Sequence, residues 1–393
     1  MTYIIALLSL IFLINLKGID PVDFVILLAL VATFSISVLK GKVRKPTYTM
    51  GMFFFMFFIG YGFSILLNGY NFSYVMNFLV NVSLFFLVLK STKSEEAVRN
   101  LFLWLTIGAT LTGFMALICI AFNVTLLPNQ FDVIRDDRYM GMYGDPNILG
   151  TFLVFLVFYW LSQLFTYRTT TVYGTLLPTF FVVTLLIQIA ATSSRSAVGG
   201  LILGVLVYVY IFVSSVSIEH SAKSFTKFLI PVLFLVGVSI VPVYDTFLER
   251  TQTVVSVSNA EDDRFNLVFT AAAIAVSIEN PFGVGPGQTN FATGIENADG
   301  GEIGSHNAFV QVFADNGWIS GTAVLLAIIM LWITSFRNAR RGKWLLGVDQ
   351  TVMVASFTSF IFIAMFQDLL QWKVVWFFLA MLVAMHRATP KYH

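Results

Sequence analysis

Apolar runs of near-spanning length recur along the whole chain. They fall near 2–16, 22–39, 48–66, 73–89, 100–122, 147–165, 173–191, 197–214, 228–244, 319–336, 348–366 and 372–387. Each approaches the ~20 residues that a helix needs to cross a bilayer. Hydrocarbon offers the backbone no water, so such runs satisfy their own N–H and C=O groups by coiling. Composition agrees: 58% of the 393 residues are hydrophobic and 11% are charged, whereas soluble domains carry about 25% charged residues. Mean hydropathy is +0.83. The expected fold is an all-α integral membrane protein of about 12 transmembrane helices, one polytopic domain over 1–393. "MTYIIALLSLIFLINLKG" has neither a basic leader nor a small-residue cleavage site, so it reads as a retained first span. Cys119 is the single cysteine, which excludes a disulfide within the chain.

Net charge is +2 and says little about partners; nothing in it suggests nucleic acid. The placement of the charges is more informative. Of the 23 lysines and arginines, 16 fall in one set of loops, among them "KGKVRK" (40–45), "KSTKSEEAVR" (90–99) and "RNARRGK" (337–343). The positive-inside rule assigns these loops, and both termini, to the cytoplasm. The remaining 7 are Lys17, Arg135, Arg138, Arg195, Arg250, Arg264 and Lys373. Acidic residues segregate the other way, and the two long polar segments, 123–146 and 245–318, fall on the outer side. Any chemistry is therefore expected to face outward.

Segment 245–318 is the nearest thing to an extramembrane unit, a loop with short helices. "EDDRFNLVFTAAAIAVSIENPFG" reads as a helix, with acids at its start and Pro281 and Gly283 after its end. "GVGPG" reads as a turn rather than a phosphate loop, because no βαβ unit surrounds it. "HNAFVQVFADNG" has helical spacing that sets His306, Val310 and Phe313 on one face. It is expected to lie along the membrane surface before the span from 319.

The spans are nearly empty of ionisable side chains, which argues against an ion-coupled transporter. The outer face holds Arg138 in "RDDRYMGMYGDPNILG", Arg195 in "TSSRSAVGG", Arg264 in "EDDRFN", and His306. Arginine suits phosphate, because its planar fork donates two parallel hydrogen bonds and keeps its charge. A neutral histidine, with an ordinary pKa near ~6.5, can take a proton from a sugar hydroxyl. Together these groups suit glycosyl transfer from a lipid-linked diphosphate. Taken singly, each has a plainer reading. Arg195 could be an interfacial anchor, Arg264 and Arg138 could pair with neighbouring aspartates, and His306 could be a helix-end residue. Adjacent carboxylates on a helix point apart, so Asp136-Asp137 and Asp262-Asp263 suggest no metal site, and no cofactor is expected.

These stretches resemble the O-antigen ligase and O-antigen polymerase superfamily. "HNAFVQVFADNGWISG" is similar to its histidine signature and "TSSRSAVGG" to its Ser-Arg motif. "RYMGMYGDPNILG" is similar to its Arg-x-x-Gly…Pro-Asn segment, and "RFNLVFTAAAIAVSIENPFGVGPGQTNF" to the stretch before the histidine. The similarity runs in order over about 135–335. It implies a bacterial inner-membrane glycosyltransferase of GT-C type, working on the periplasmic face, inverting and metal-independent. The donor would be an undecaprenyl-diphosphate-linked glycan, held among membrane lipids. The acceptor would be a lipid-linked repeat unit in a polymerase, or lipid A-core in a ligase, with a chain-length regulator as a further partner of a polymerase. By the same resemblance His306 would activate the acceptor, and Arg195, Arg264 and Arg138 would engage the diphosphate. Ser320 departs from the ligase pattern, in which Gly, Thr or Tyr follows Gly-x-x. Asp145-Pro146-Asn147 resembles polymerase sequences and tilts the reading that way. A lipid-linked glycan flippase is the alternative from another class. It would need a polar path through the spans.

Overall fold

The computed structural model describes residues 48–122, 134–135, 138–141, 145–164, 172–215, 259–294, 306–368, 371–387 and 391–392. The expected spans at 2–16, 22–39 and 228–244 lie outside them. The other nine each coincide with a helix. In chain order the helices are α1 (Tyr48–Asn68), α2 (Phe72–Ser91), α3 (Glu95–Phe122), α4 (Pro146–Leu164), α5 (Val172–Ala191) and α6 (Arg195–Ser215). There follow α7 (Asn259–Glu279), α8 (Thr289–Thr293), α9 (Ala308–Arg340), α10 (Gln350–Ala364) and α11 (Lys373–His386). The helix read in "EDDRFN…ENPFG" is α7. Among the described residues four helices, α1, α2, α4 and α9, are long and apolar enough to cross a membrane.

Helix α4 is apolar on all sides and is buried from Ile148 to Ser162, as a central membrane helix should be. Its Tyr159 ring stacks on Phe102 of α3 at 3.7 Å between centroids. Trp160 donates its indole N–H to Thr106 Oγ1 at 2.7 Å, so the one polar atom of that ring is satisfied inside the core. Small residues let helices approach closely where water cannot drive them together. A side chain on Gly204 of α6 would strike Ser359 Oγ of α10 and come within 2.8 Å of the Ala355 carbonyl.

Two small sheets depart from the all-α expectation. β1 (Ile134–Arg135) pairs antiparallel with β2 (Arg138–Tyr139). β3 (Lys343–Leu345) pairs with β4 (Val348–Asp349) on one side and β5 (Lys391–Tyr392) on the other. Strands of two or three residues carry too little alternation to be read from sequence.

Contacts sort the connections into two groups. The β3–β4 hairpin reaches α4 through Gln163 Nε2, which donates to the Gly347 carbonyl at 3.1 Å. It also reaches the start of α3, where Glu95 lies against Gly347. These segments, with β5, carry basic runs that charge counting assigned to the cytoplasm. At the other group, Asn71 N–H donates to the Pro286 carbonyl at 3.0 Å and Asn68 Nδ2 to the Gly283 carbonyl at 2.6 Å. That second group also contains the starts of α4, α6 and α9.

Candidate functional site

The site is built on helix starts. Asp145 caps α4, its Oδ1 accepting the N–H groups of Asn147 at 2.6 Å and Ile148 at 3.3 Å. Pro146 takes the first helical position, where its missing N–H costs nothing. Asp145-Pro146-Asn147 thus forms a helix cap. Capping leaves the Asn147 side chain available, and its Oδ1 accepts from Arg138 Nη2 at 2.9 Å. Arg138 Nε donates to the Thr192 carbonyl at 3.0 Å.

Thr192 ends α5 and begins a sharp reversal into α6. Ser193 sits in the left-handed region at φ 50°, a conformation that a non-glycine residue adopts only when its surroundings hold it there. The Arg138 brace on the Thr192 carbonyl is one such hold. The reversal delivers Arg195, exposed, to the first position of α6, the end of a helix whose dipole favours anions. The neighbouring Ser196 Oγ accepts from Gln367 Nε2 at 2.5 Å. The Gln367 backbone carbonyl accepts the Ala308 N–H at 3.0 Å, at the start of α9. A continuous hydrogen-bonded course therefore runs from Asn147 through Arg138, Thr192, the Arg195 turn and Gln367 to the turn that carries His306.

At that turn the sequence expectation needs correction. Asn307 is the N-cap, its Oδ1 accepting Phe309 and Val310 N–H at 3.1 Å each. His306 stands before the cap, off the helix, and does not share a helical face with Val310 and Phe313. Asparagine out-competes histidine for this place because its short side chain reaches the free N–H groups. His306 is exposed. Surrounding protein still desolvates the ring and lowers its pKa below the ordinary histidine value, with the Asp145 carboxylate pulling the other way.

The helix after the cap does not lie on the surface as expected. Ala308, Gln311, Val312, Ala314, Asp315 and Asn316 are buried, and the helix continues through a kink at Gly317 (φ 77°, ψ 176°) into the long span. The buried Asp315 carboxylate accepts Thr289 N–H at 3.0 Å, Thr289 O–H at 2.6 Å and Gln311 Nε2 at 2.8 Å. The "PFGVGPG" stretch supplies the wall. Val284 N–H donates to the Ala314 carbonyl at 2.9 Å, Gly285 N–H to Asp315 at 3.0 Å, and Trp318 N–H to Pro281 at 2.8 Å. The glycine turn is real, with positive φ at Gly283, Gly285 and Gly287. Its role is to dock backbone against backbone on the kinked helix.

Ser320 also takes a different meaning. It is fully buried, its hydroxyl donates to the Phe57 carbonyl of α1 at 2.9 Å, and a side chain on Gly60 would strike it. The position is a close crossing of α9 on α1. Ser320→Gly is expected to leave acceptor preference unchanged and to lower thermal stability by about 1 kcal/mol through the lost hydrogen bond. A transfer assay with competing acceptors, alongside a melting curve, checks both.

The structure thus links Arg138, Arg195 and His306. Arg264 falls in the first turns of α7, and its side chain lies outside the described residues. Among the described residues no group of three His, Cys, Asp or Glu side chains is placed to hold a metal ion. An apolar cleft of about 90 Å³ opens between α1, α2, α9 and α11, lined by Phe54, Phe57, Phe78, Val312, Ile328 and Trp376 among others. Of the candidates whose side chains are described, Arg138, Arg195 and His306, none lines it. Sequence reasoning missed Gln367 and Asn147. The signal for Gln367 was present, since Gln367 and Asp368 interrupt the apolar runs of the last two helices on the outer side.

A family model described as O-antigen ligase matches residues 180–321. The match begins in α5 and ends just past the Gly317 kink. It takes in Arg195, Arg264 and His306 and leaves Arg138 outside. No curated protein matches the chain.

Proposed function

We propose, from the family model that matches residues 180–321, that the chain is a member of the O-antigen ligase and polymerase superfamily and a GT-C-type glycosyltransferase of the bacterial inner membrane. It moves a glycan from undecaprenyl diphosphate to a sugar hydroxyl on the periplasmic face. The acceptor we assign first is another lipid-linked repeat unit, as in a polymerase, and lipid A-core is the ligase alternative. The observation that carries the reading is the hydrogen-bonded course from the Arg138–Thr192 brace through Ser196 and Gln367 to Ala308. It ties a cationic helix start to the turn of a neutral histidine.

In the proposed step His306 takes the proton of the acceptor hydroxyl. The acceptor oxygen forms its bond to the anomeric carbon from the face opposite the leaving group, giving inversion. The bond from that carbon to the phosphate oxygen breaks, and the diphosphate leaves with the electron pair. Arg195, the start of α6 and Arg264 offset the charge that develops on it. Arg138 adds positive charge nearby and holds the Thr192 turn. No metal ion is needed in this scheme.

The test is reconstitution. Purified protein in vesicles, given the lipid-linked unit alone, is expected to lengthen it. Dependence on added lipid A-core would reassign the protein as a ligase. Translocation of the unit with no new glycosidic bond would indicate a flippase. Arg195→Lys keeps the charge and loses the planar fork, so transfer should fall roughly 10–100-fold, the worth of a charge-assisted hydrogen bond. Steady-state rates at saturating acceptor measure it.

A further inference from the structure

Gln367 offers three polar atoms at one point between α6 and α9. Its backbone carbonyl is taken by Ala308 N–H at 3.0 Å, and its Nε2 by Ser196 Oγ at 2.5 Å. Its Oε1 is buried and has no hydrogen-bond partner among the described residues, in a residue only 7% exposed. A buried acceptor left unpaired carries a desolvation cost that nothing in the fold repays. The molecule carries that cost at a residue flanked by the Arg195 turn on one side and the His306 turn on the other. Oε1 shares an amide carbon with the nitrogen bonded to Ser196, so it too lies between the two helix starts. An amide oxygen accepts from a neutral O–H and gives no charge of its own, which suits a sugar hydroxyl and not a phosphate.

Resting on the transferase reading above, we propose that Gln367 is an acceptor-binding residue: its Oε1 receives a hydrogen bond from a hydroxyl of the acceptor sugar, while its other two atoms hold the Arg195 and His306 turns in register. The acceptor is thereby seated beside the histidine that deprotonates it. One side chain reports both on the cationic turn and on the acceptor.

Two substitutions separate these duties. Gln367→Met matches the shape and has no hydrogen-bonding amide, so KM for the acceptor should rise about tenfold, with kcat also reduced. Gln367→Glu keeps an acceptor oxygen for the sugar and another for the Ser196 O–H, so acceptor KM should stay within about twofold of wild type. Its added negative charge should instead raise KM for the diphosphate donor. Ser196→Ala removes the same tether from the other side, and combined with Gln367→Met it should add little to the fall in kcat. The experiment uses the full chain in vesicles, with the lipid-linked unit as donor and as acceptor at independently varied, isotopically distinguished concentrations. His306→Ala is run alongside. If His306→Ala transfers at the wild-type rate, the transferase reading fails. If His306→Ala is inactive and Gln367→Met has the wild-type acceptor KM, only the Gln367 proposal is overturned. A uniform loss in both substitutions, with equal change in donor and acceptor KM, overturns it as well, because a purely structural residue would behave that way.

Discussion

Replacing His306 with alanine should lower glycan transfer by about 10²–10⁴-fold, the usual worth of a positioned general base. The helices should remain in place, because Asn307, not His306, caps α9. The pH dependence gives the sharper check. Desolvation lowers the His306 pKa, and the Asp145 carboxylate opposes that shift. A base acts in its neutral form, so activity should persist below pH ~6.5, the ordinary histidine value. It should be lost as pH falls through the lowered value in the folded protein. Asp145→Asn removes the opposing charge while keeping a side-chain oxygen able to cap α4. The acid limb of kcat/KM should then move to still lower pH. A limb that stays put or moves up would show that the titrating base is some other group.

Gly317→Ala should cost more in stability than any other single substitution considered. The backbone there has φ 77° and ψ 176°, a region open almost only to glycine. Forcing alanine into it costs about 1–3 kcal/mol before any contact is counted. The contacts are also prohibitive. A Cβ at Gly317 would lie 2.5 Å from the Phe282 carbonyl carbon and 2.7 Å from the Pro281 oxygen. Gly283 faces it with the same problem, meeting Gly317 N at 2.6 Å. These are backbone atoms and cannot rotate away. The expected result is a fall in melting temperature in detergent, loss of the Val284, Gly285 and Trp318 backbone bonds, and loss of transfer through displacement of the His306 turn. Gly294→Ala, at a positive φ but with open space around it, serves as the control and should be much milder. Equal melting temperatures for the two variants would contradict this account.

Much of the framework was legible because its physics is local. The length of an apolar run follows from bilayer thickness, so nine spans and α7 could be placed from the residues alone. Pro146 after Asp145 marks a helix start for reasons contained in those two residues. The GVGPG turn likewise follows from what glycine and proline permit. What escaped reading depends on partners far along the chain. The segment from His306 to Gly317 read as a helix along the membrane surface, yet Asp315 within it is buried and bonded to Thr289, 26 residues earlier. Ser64 donates to the Asp315 backbone carbonyl from 251 residues away. Gln367 meets Ser196 across 171 residues. Ser320 was weighed as a clue to the acceptor, and its partner Phe57 lies 263 residues before it. The histidine signature was visible, whereas the division of labour between His306 and the Asn307 cap was not. Both residues are polar at a helix start, and side-chain reach alone separates them.

The kink at Gly317 also decides where the protein would absorb a change in bilayer thickness. Below it, the rest of α9 to Arg340 is a long apolar rod that can tilt to match the hydrocarbon, at a modest cost per ångström of mismatch. Above it, the short helix bearing the histidine turn is fastened by the 281–285 backbone and by Thr289 rather than by lipid. A hinge residue without a side chain thus separates a lipid-fitted rod from a protein-fitted anvil. Thin and thick membranes would change the lean of the rod and leave the distance between the Arg195 turn and His306 unaltered.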